Sequence, residues 1–590
     1  MSEAPESTPE STPESAPESA PESAPESAPE SAPDAGSAVT GGLSPYVLGA
    51  VLVALVLAAS VGLAGGWVYD DRMLMPSWRR WDLSDLWATF GRTSAFYQTP
   101  AGSAPSPEAG ASTYRPVTMA TLVAIQVVWQ APLPHHLASL AMHLGTAAVL
   151  YRALRRWYPE DSPRSLSTLV CLFMLHPVTA EAWVWINGRS DLTAGLILSL
   201  FAWWVAPSSG ARSRGHLPVL ALLTFLGACA KETFIFAGGA VLAASWTREE
   251  GRPRAKLASA GVFVLGLVLH LLARSRVGGS SGAHFGGSSM PLLDPELLRF
   301  VPRLFMIAYE STLSIAAEPM KNLADLSIRP ASTASIVATA LGVPATALAV
   351  WRGRGPSALL LLGAALTILP CALLIRAIWL GFDRYLYMPL MLVALAVVPL
   401  ARAVGALVSE RLAPAVRWLC GALLLVEALS LRAASEPYAS NDAFFRAILK
   451  ARPQDAGAQL AYLGCVEEPE AERRLTIANL TSLPPPPWPR PVTLKALECA
   501  LRVNEPTVTR VASEEAVRVG STDPTFNALA MYGRYRAGDV AAAMRLARST
   551  SGHRSVCPRV AQALRAWESQ ATDPATRARL RATIADYRCE

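Results

Sequence analysis

Apolar residues in this chain fall into long blocks separated by short charged stretches. Between residues 43 and 431 eleven such blocks stand out, at 43–68, 137–154, 166–183, 192–205, 217–230, 234–244, 257–272, 336–350, 359–375, 386–398 and 418–431. Many approach the roughly 20 residues that carry an α-helix across a bilayer core. The pattern predicts an all-α, polytopic transmembrane bundle of about eleven spans. Two other segments fit less simply: 117–131 is apolar but short, and 300–315 contains Arg303 and Glu310. Counting 117–131 as a crossing would reverse the charge pattern described below, so it is read as lying in the interface or re-entering.

The segment 217–246 could be one long tilted helix. Both of its flanks are basic, however, with Arg212 and Arg214 before it and Arg248, Arg252 and Arg254 after it. This predicts a hairpin of two short helices with Lys231 and Glu232 at its tip. Ionisable groups at membrane depth cost about 2.5–3.5 kcal/mol each, so such residues usually serve a site or pair with each other.

Composition agrees with lipid as the solvent: 52% of residues are hydrophobic and 17% charged, against about 25% charged in soluble domains. The net charge of +6 averages unlike regions. Residues 1–34 carry eight Glu and Asp34 and no Lys or Arg, in a Pro-Glu-Ser-(Thr/Ala) repeat. With no apolar face to bury, residues 1–42 are read as a disordered leader. The basic residues cluster beside alternate spans, for example Arg152, Arg155 and Arg156, then Arg352 and Arg354, then Arg402, Arg411 and Arg417. The positive-inside rule then places the N-terminus in the cytoplasm and everything after 431 outside. This clustering gives no reason to invoke nucleic acid.

Residues 43–431 therefore form the membrane domain and 432–590 a soluble, extracytoplasmic α-helical domain. Helical patterns run through 442–451, 492–503, 514–519, 525–537, 540–547 and 577–587, interrupted by a proline run at 484–491. The segments 528–539 and 541–548 resemble a degenerate tetratricopeptide hairpin. Cys465, Cys499, Cys557 and Cys589 all fall in this domain, and outside the cytoplasm they suggest two disulfides in any of three pairings. No Cys/His spacing suggests a metal site.

The candidate chemistry collects on the predicted outer side. Asp70 and Asp71 follow the first span directly, and a partly desolvated carboxylate makes a better general base. Arg115, His176, Glu181, Arg189, Asp191, Lys231, Glu232, Arg384, Tyr385 and Tyr387 all lie at outer ends of spans. Cations around a pair of acids suit a reaction with a phosphate leaving group, whose developing charge they offset.

In order, Tyr69-Asp70-Asp71, Tyr114-Arg115-Pro116, Leu175-His176-Pro177-Val178 with Glu181, Gly188-Arg189-Ser190-Asp191, Lys231-Glu232-Thr233 and Arg384-Tyr385-Leu386-Tyr387 resemble the transmembrane tetratricopeptide O-mannosyltransferases and their bacterial relatives. The likeness covers roughly 66–389. It implies a GT-C fold, a polyprenyl- or dolichyl-phosphate sugar donor with no firm cofactor, and inverting transfer of a hexose such as mannose to a protein hydroxyl outside the cytoplasm. It maps the family's loop acid onto Asp70 or Asp71, with Asp70 favoured, and its phosphate-side groups onto Arg115, Arg189, Lys231 and Arg384. Two acids do not make a full ligand set for a divalent cation. Other readings stay open: transfer to an envelope glycan or lipid, a transporter, or a membrane scaffold with a partner-binding tail.

Overall fold

The computed structural model describes residues 45–68, 71, 81–92, 114–207, 215–248, 253–277, 295–313, 333–370, 383–407, 411–440, 506–520, 524–551 and 557–587, with isolated positions near 443–447 and 493–501. The leader at 1–42, Asp70, the proline run at 484–491 and Cys465, Cys499 and Cys589 lie outside them. Every regular element among the described residues is helical.

The helices are α1 (Pro45–Leu63), α2 (Leu83–Ala88), α3 (Pro116–Val128), α4 (Pro132–Trp157), α5 (Pro163–Leu175), α6 (Ala180–Trp183), α7 (Arg189–Val205), α8 (His216–Ala230), α9 (Phe234–Trp246), α10 (Pro253–Arg276), α11 (Pro295–Leu313), α12 (Thr333–Ile368), α13 (Tyr387–Ala396), α14 (Val398–Leu407) and α15 (Ala413–Ser435). Local sequence explains several starts. Proline opens α3, α4 and α5, where its missing N–H costs nothing and its φ is already helical. Asp82 caps α2 in a capping box with Asp85. The His176–Pro177 step ends α5, and the following short helix leaves at 53°.

Five helical stretches are long and apolar enough to cross a membrane, or six if that bent pair is one crossing. This marks the chain as a membrane protein. Several of the eleven blocks form helices too short to meet that length by themselves, including α8 and α9 with 15 and 13 residues.

Contacts sort the helix ends onto two faces of the bundle. At one end Lys231, after α8, meets Asp191 in the first turn of α7. At the other, the Trp157 indole donates to the Ala202 carbonyl of α7 at 2.9 Å, and the Arg248 guanidinium after α9 donates to the Trp157 carbonyl. Trp204, near the end of α7, donates to the His216 carbonyl that opens α8. Thus α8 and α9 both have their basic-flanked ends at the Trp157 end, and their Lys231–Thr233 link sits at the opposite end. The hairpin geometry follows from the link itself, where Lys231 is extended (φ −158°) and stops α8.

α12 also doubles back. Its helical dihedrals fail at Arg354, at φ 52°. Just beyond this break Ser357 donates to the Ala396 carbonyl at the far end of α13. α3, by contrast, does not cross. Arg115 at its start bonds Glu232, and Gln126 near its end bonds His135 in the first turn of α4. Both termini lie at the Lys231 end, so this helix runs across the bundle there.

The main core joins α1, α4, α5, α7, α9, α13 and α15 through residues such as Leu55, Leu150, Phe201, Val241 and Leu392. The C-terminal region contains α16 (Pro506–Gly520), α17 (Pro524–Arg536), α18 (Val540–Ser549), α19 (Cys557–Gln570) and α20 (Pro574–Asp586). A core of Met531, Met544, Ala547, Leu564, Trp567 and Leu580 links the last four. Tyr535 stacks on Trp567 with ring centroids 3.7 Å apart. Cys557 is disulfide-bonded.

Candidate functional site

The Lys231 end of the bundle gathers most of the polar residues singled out in the sequence. Lys231 and Asp191 form a buried ion pair. Next to it, Arg115 places Nε and Nη2 at 3.1 and 2.9 Å from one Glu232 oxygen. The hairpin link thus supplies one residue to each pair, and a cation and an acid each find a partner on another helix. Burial pushes the Lys231 pKa down; Asp191 pulls it back up, while Arg115 and Arg384 lower it further. Three cations therefore lie within electrostatic reach of one another.

Tyr385 sits among them. Its ring lies 3.9 Å from the Lys231 Nζ and 5.2 Å from the Arg384 guanidinium carbon. Such cation–π contacts hold a positive charge without neutralising it. Arg384 also stands 4.7 Å over the Trp185 ring, and its backbone N–H donates to Glu181 Oε2 at 3.0 Å. The neighbouring Asp383 accepts a hydrogen bond from Ser311 on α11.

Trp185 connects this cluster to the acid turn after α1. Its indole N–H points to the Val68 carbonyl at 3.4 Å. In the same turn Asp71 is buried, with Oδ2 accepting from the Val68 N–H at 3.0 Å and Oδ1 from the Asn187 N–H at 2.8 Å. Both oxygens of Asp71 are thus engaged by backbone donors, and the side chain ties the turn to the start of α7. The adjacent Gly188 has a physical reason: a Cβ there would collide with the Glu181 and Ala182 carbonyls.

Three residues from the sequence reading play other parts. Arg189 is fully buried and turns into the bundle, donating to Ser139 Oγ at 3.1 Å and to the His135 carbonyl. His176 holds the bend after α5: Nδ1 accepts the Val178 N–H, and Nε2–H donates to the Thr312 carbonyl at 3.0 Å. Tyr387 lies in the core, its hydroxyl 2.8 Å from His143 Nδ1. These three brace the site from behind.

Trp185, at the head of the Gly188–Asp191 motif, is joined by Tyr438 and Phe444, which the sequence does not single out. Their rings pack together at 5.9 to 6.1 Å between centroids. Tyr438 also hydrogen-bonds Glu181. The chain just after α15 is therefore seated against the site. Gly65 permits this approach, since a Cβ there would come within 2.7 Å of the Tyr438 carbonyl. No three His, Cys, Asp or Glu side chains among the described residues form a cluster suited to a metal ion. No protein family, curated protein or solved structure matches this chain.

Proposed function

We propose that the chain is a GT-C-type glycosyltransferase that moves a hexose, such as mannose, from a polyprenyl- or dolichyl-phosphate to a protein hydroxyl outside the cytoplasm. The observation that carries this reading is the convergence of Arg115, Lys231 and Arg384 around Tyr385, joined through Trp185 to the turn that bears Asp71. In the proposed reaction the acceptor oxygen attacks the anomeric carbon, and its proton passes to Asp70. The bond to the phosphate oxygen breaks with inversion, and the three cations stabilise the departing lipid phosphate.

The engagement of Asp71 by two backbone N–H groups supports giving the base role to Asp70 and a positioning role to its neighbour. The proposed topology has eleven crossings, a cytoplasmic start and an extracytoplasmic tail. The sorting of helix ends supports it, with Arg155, Arg156, Arg248 and Arg402 at the Trp157 end. The tetratricopeptide-like character of the C-terminal helices belongs to the same proposal, with the tail presenting or selecting the acceptor.

The test is transfer of label from radiolabelled polyprenyl-phosphate mannose by membranes containing the protein. The wild type should label protein, and Arg384→Ala should weaken donor binding and lower turnover by about 10²-fold, the scale of one lost transition-state contact. Absence of transfer from mannose and other hexose donors would overturn the assignment.

A further inference from the structure

At the Trp157 end, three helices finish on or near a tryptophan, and each of these tryptophan carbonyls takes a cation from a neighbouring helix. Trp157 is the last residue of α4, Trp246 is the last of α9, and Trp203 lies in the final turn of α7. Arg156 on α4 donates to the Trp203 carbonyl at 3.2 Å. Arg248, just after α9, donates to the Trp157 carbonyl, and Lys256, at the start of α10, to the Trp246 carbonyl at 2.8 Å. The last carbonyls of a helix have no partner within it and carry the negative end of its dipole, so a borrowed cation suits them. Each bond joins one helix to the next, so the series runs without a gap from α10 through α9 and α4 to α7.

Capping alone does not use all of this charge. Arg156 is exposed, and Arg248 and Lys256 are half-buried. Among the described residues none of the three forms an ion pair. Glu160 and Asp161, the acids nearest to Arg156 in sequence, are engaged by Arg402 instead. The Arg156 guanidinium lies 4.3 Å from the centre of the Trp203 ring, and that of Arg248 lies 4.4 Å from the Tyr158 ring. Such contacts hold a cationic head in place and leave its charge intact. A guanidinium or ammonium group has several N–H donors, and one carbonyl engages few of them. The others can serve an anion, and the planar head of Arg suits phosphate because it can donate two parallel bonds.

We propose that Arg156, Arg248 and Lys256 form a binding site for the headgroup of an anionic phospholipid of the phosphatidylglycerol type, in the leaflet at the Trp157 end. The half-buried Trp203 and Trp246 flank these cations, and tryptophan collects where acyl chains meet headgroups. Basic pockets between helix ends at that depth hold acidic headgroups. The bound lipid joins the ends of α4, α7, α9 and α10 on the side of the bundle remote from the Lys231 end. It binds there whether or not the protein transfers sugar.

Native mass spectrometry of the full chain, released from detergent micelles, tests this. Phosphatidylglycerol and phosphatidylcholine are offered at equal concentration, and the expected result is retention of phosphatidylglycerol about tenfold or more over phosphatidylcholine. Combining Arg156→Gln, Arg248→Gln and Lys256→Gln should bring that ratio to within about twofold of unity. Arg156→Gln alone, on an exposed side chain, should lower it about threefold without disturbing the fold. Arg402→Gln should leave the ratio unchanged, because Arg402 is already paired. Equal retention of the two lipids by the wild type, or a preference undiminished by the substitutions, would overturn the proposal. Displacement of the lipid by free glycerol phosphate at the same concentration would also overturn it, since the site would then take a soluble phosphate. The readout counts bound lipid and needs no enzymatic activity, so failure of the transferase reading would leave it intact.

Discussion

The two ends of the bundle are both rich in charge but use it differently. At the Trp157 end Arg402 is 49% exposed and pairs with Glu160, itself 77% exposed, and with Asp161. Arg156 and Arg248 lie over Trp203 and over Trp157 and Tyr158. These are surface pairs and aromatic anchors, and such pairs contribute little to stability. At the opposite end Lys231 and Asp191 are 2% and 1% exposed, and Asp71, Glu181 and Asp383 are buried as well. Burying so many charges is costly unless each is paired or hydrogen-bonded. One end looks like the ordinary edge of a membrane protein, whereas the other keeps an expensive polar arrangement, as active sites do.

The sharpest way to break this contrast is Lys231→Met, which leaves Asp191 buried without its cation. It should cost about 3–5 kcal/mol of stability, the scale for breaking a buried pair, and abolish transfer. Thermal unfolding of the detergent-solubilised protein would measure the first effect. Adding Asp191→Leu should recover most of the stability and none of the transfer. Recovery of both would make the pair purely structural.

Asp71→Asn should have a smaller effect. The amide keeps one acceptor, but its NH₂ group faces a backbone N–H, so the turn should lose about 1–3 kcal/mol. The same unfolding measurement would detect it, and any fall in transfer should track the loss of folded protein. Arg402→Ala should do least: a stability change within about 1 kcal/mol and unchanged transfer. A large loss of transfer there would erase the distinction between the two ends.

The helical architecture was legible because apolar blocks and basic loops are local signals. The basic flanks of 217–246 anticipated its two short helices, and the length of 117–131 marked it as something other than a crossing. The site was legible only in part. Arg115 and Glu232 lie 117 positions apart, so no period in the sequence announces their pairing. The family resemblance and a place on the predicted outer side group Arg189 with the phosphate-side cations. Helix position fixes the level of a side chain but not its direction, and Arg189 points inward to Ser139. Tyr387 shares a motif with Tyr385, yet two residues along a helix turn the side chain through about 200°, toward His143. The packing of Tyr438 and Phe444 on Trp185 has no local signal for another reason: both come from the chain after α15, where composition turns soluble.

On the proposed reading the buried-charge end performs sugar transfer with Asp70 as base. The most direct measurement compares Asp70→Asn with wild type in the radiolabelled polyprenyl-phosphate mannose assay, at matched expression and with donor binding measured in parallel. The amide preserves shape but cannot accept the acceptor's proton. Transfer should fall about 10²–10⁴-fold while donor binding holds. An Asp70→Asn protein that transfers sugar at the wild-type rate would contradict the account.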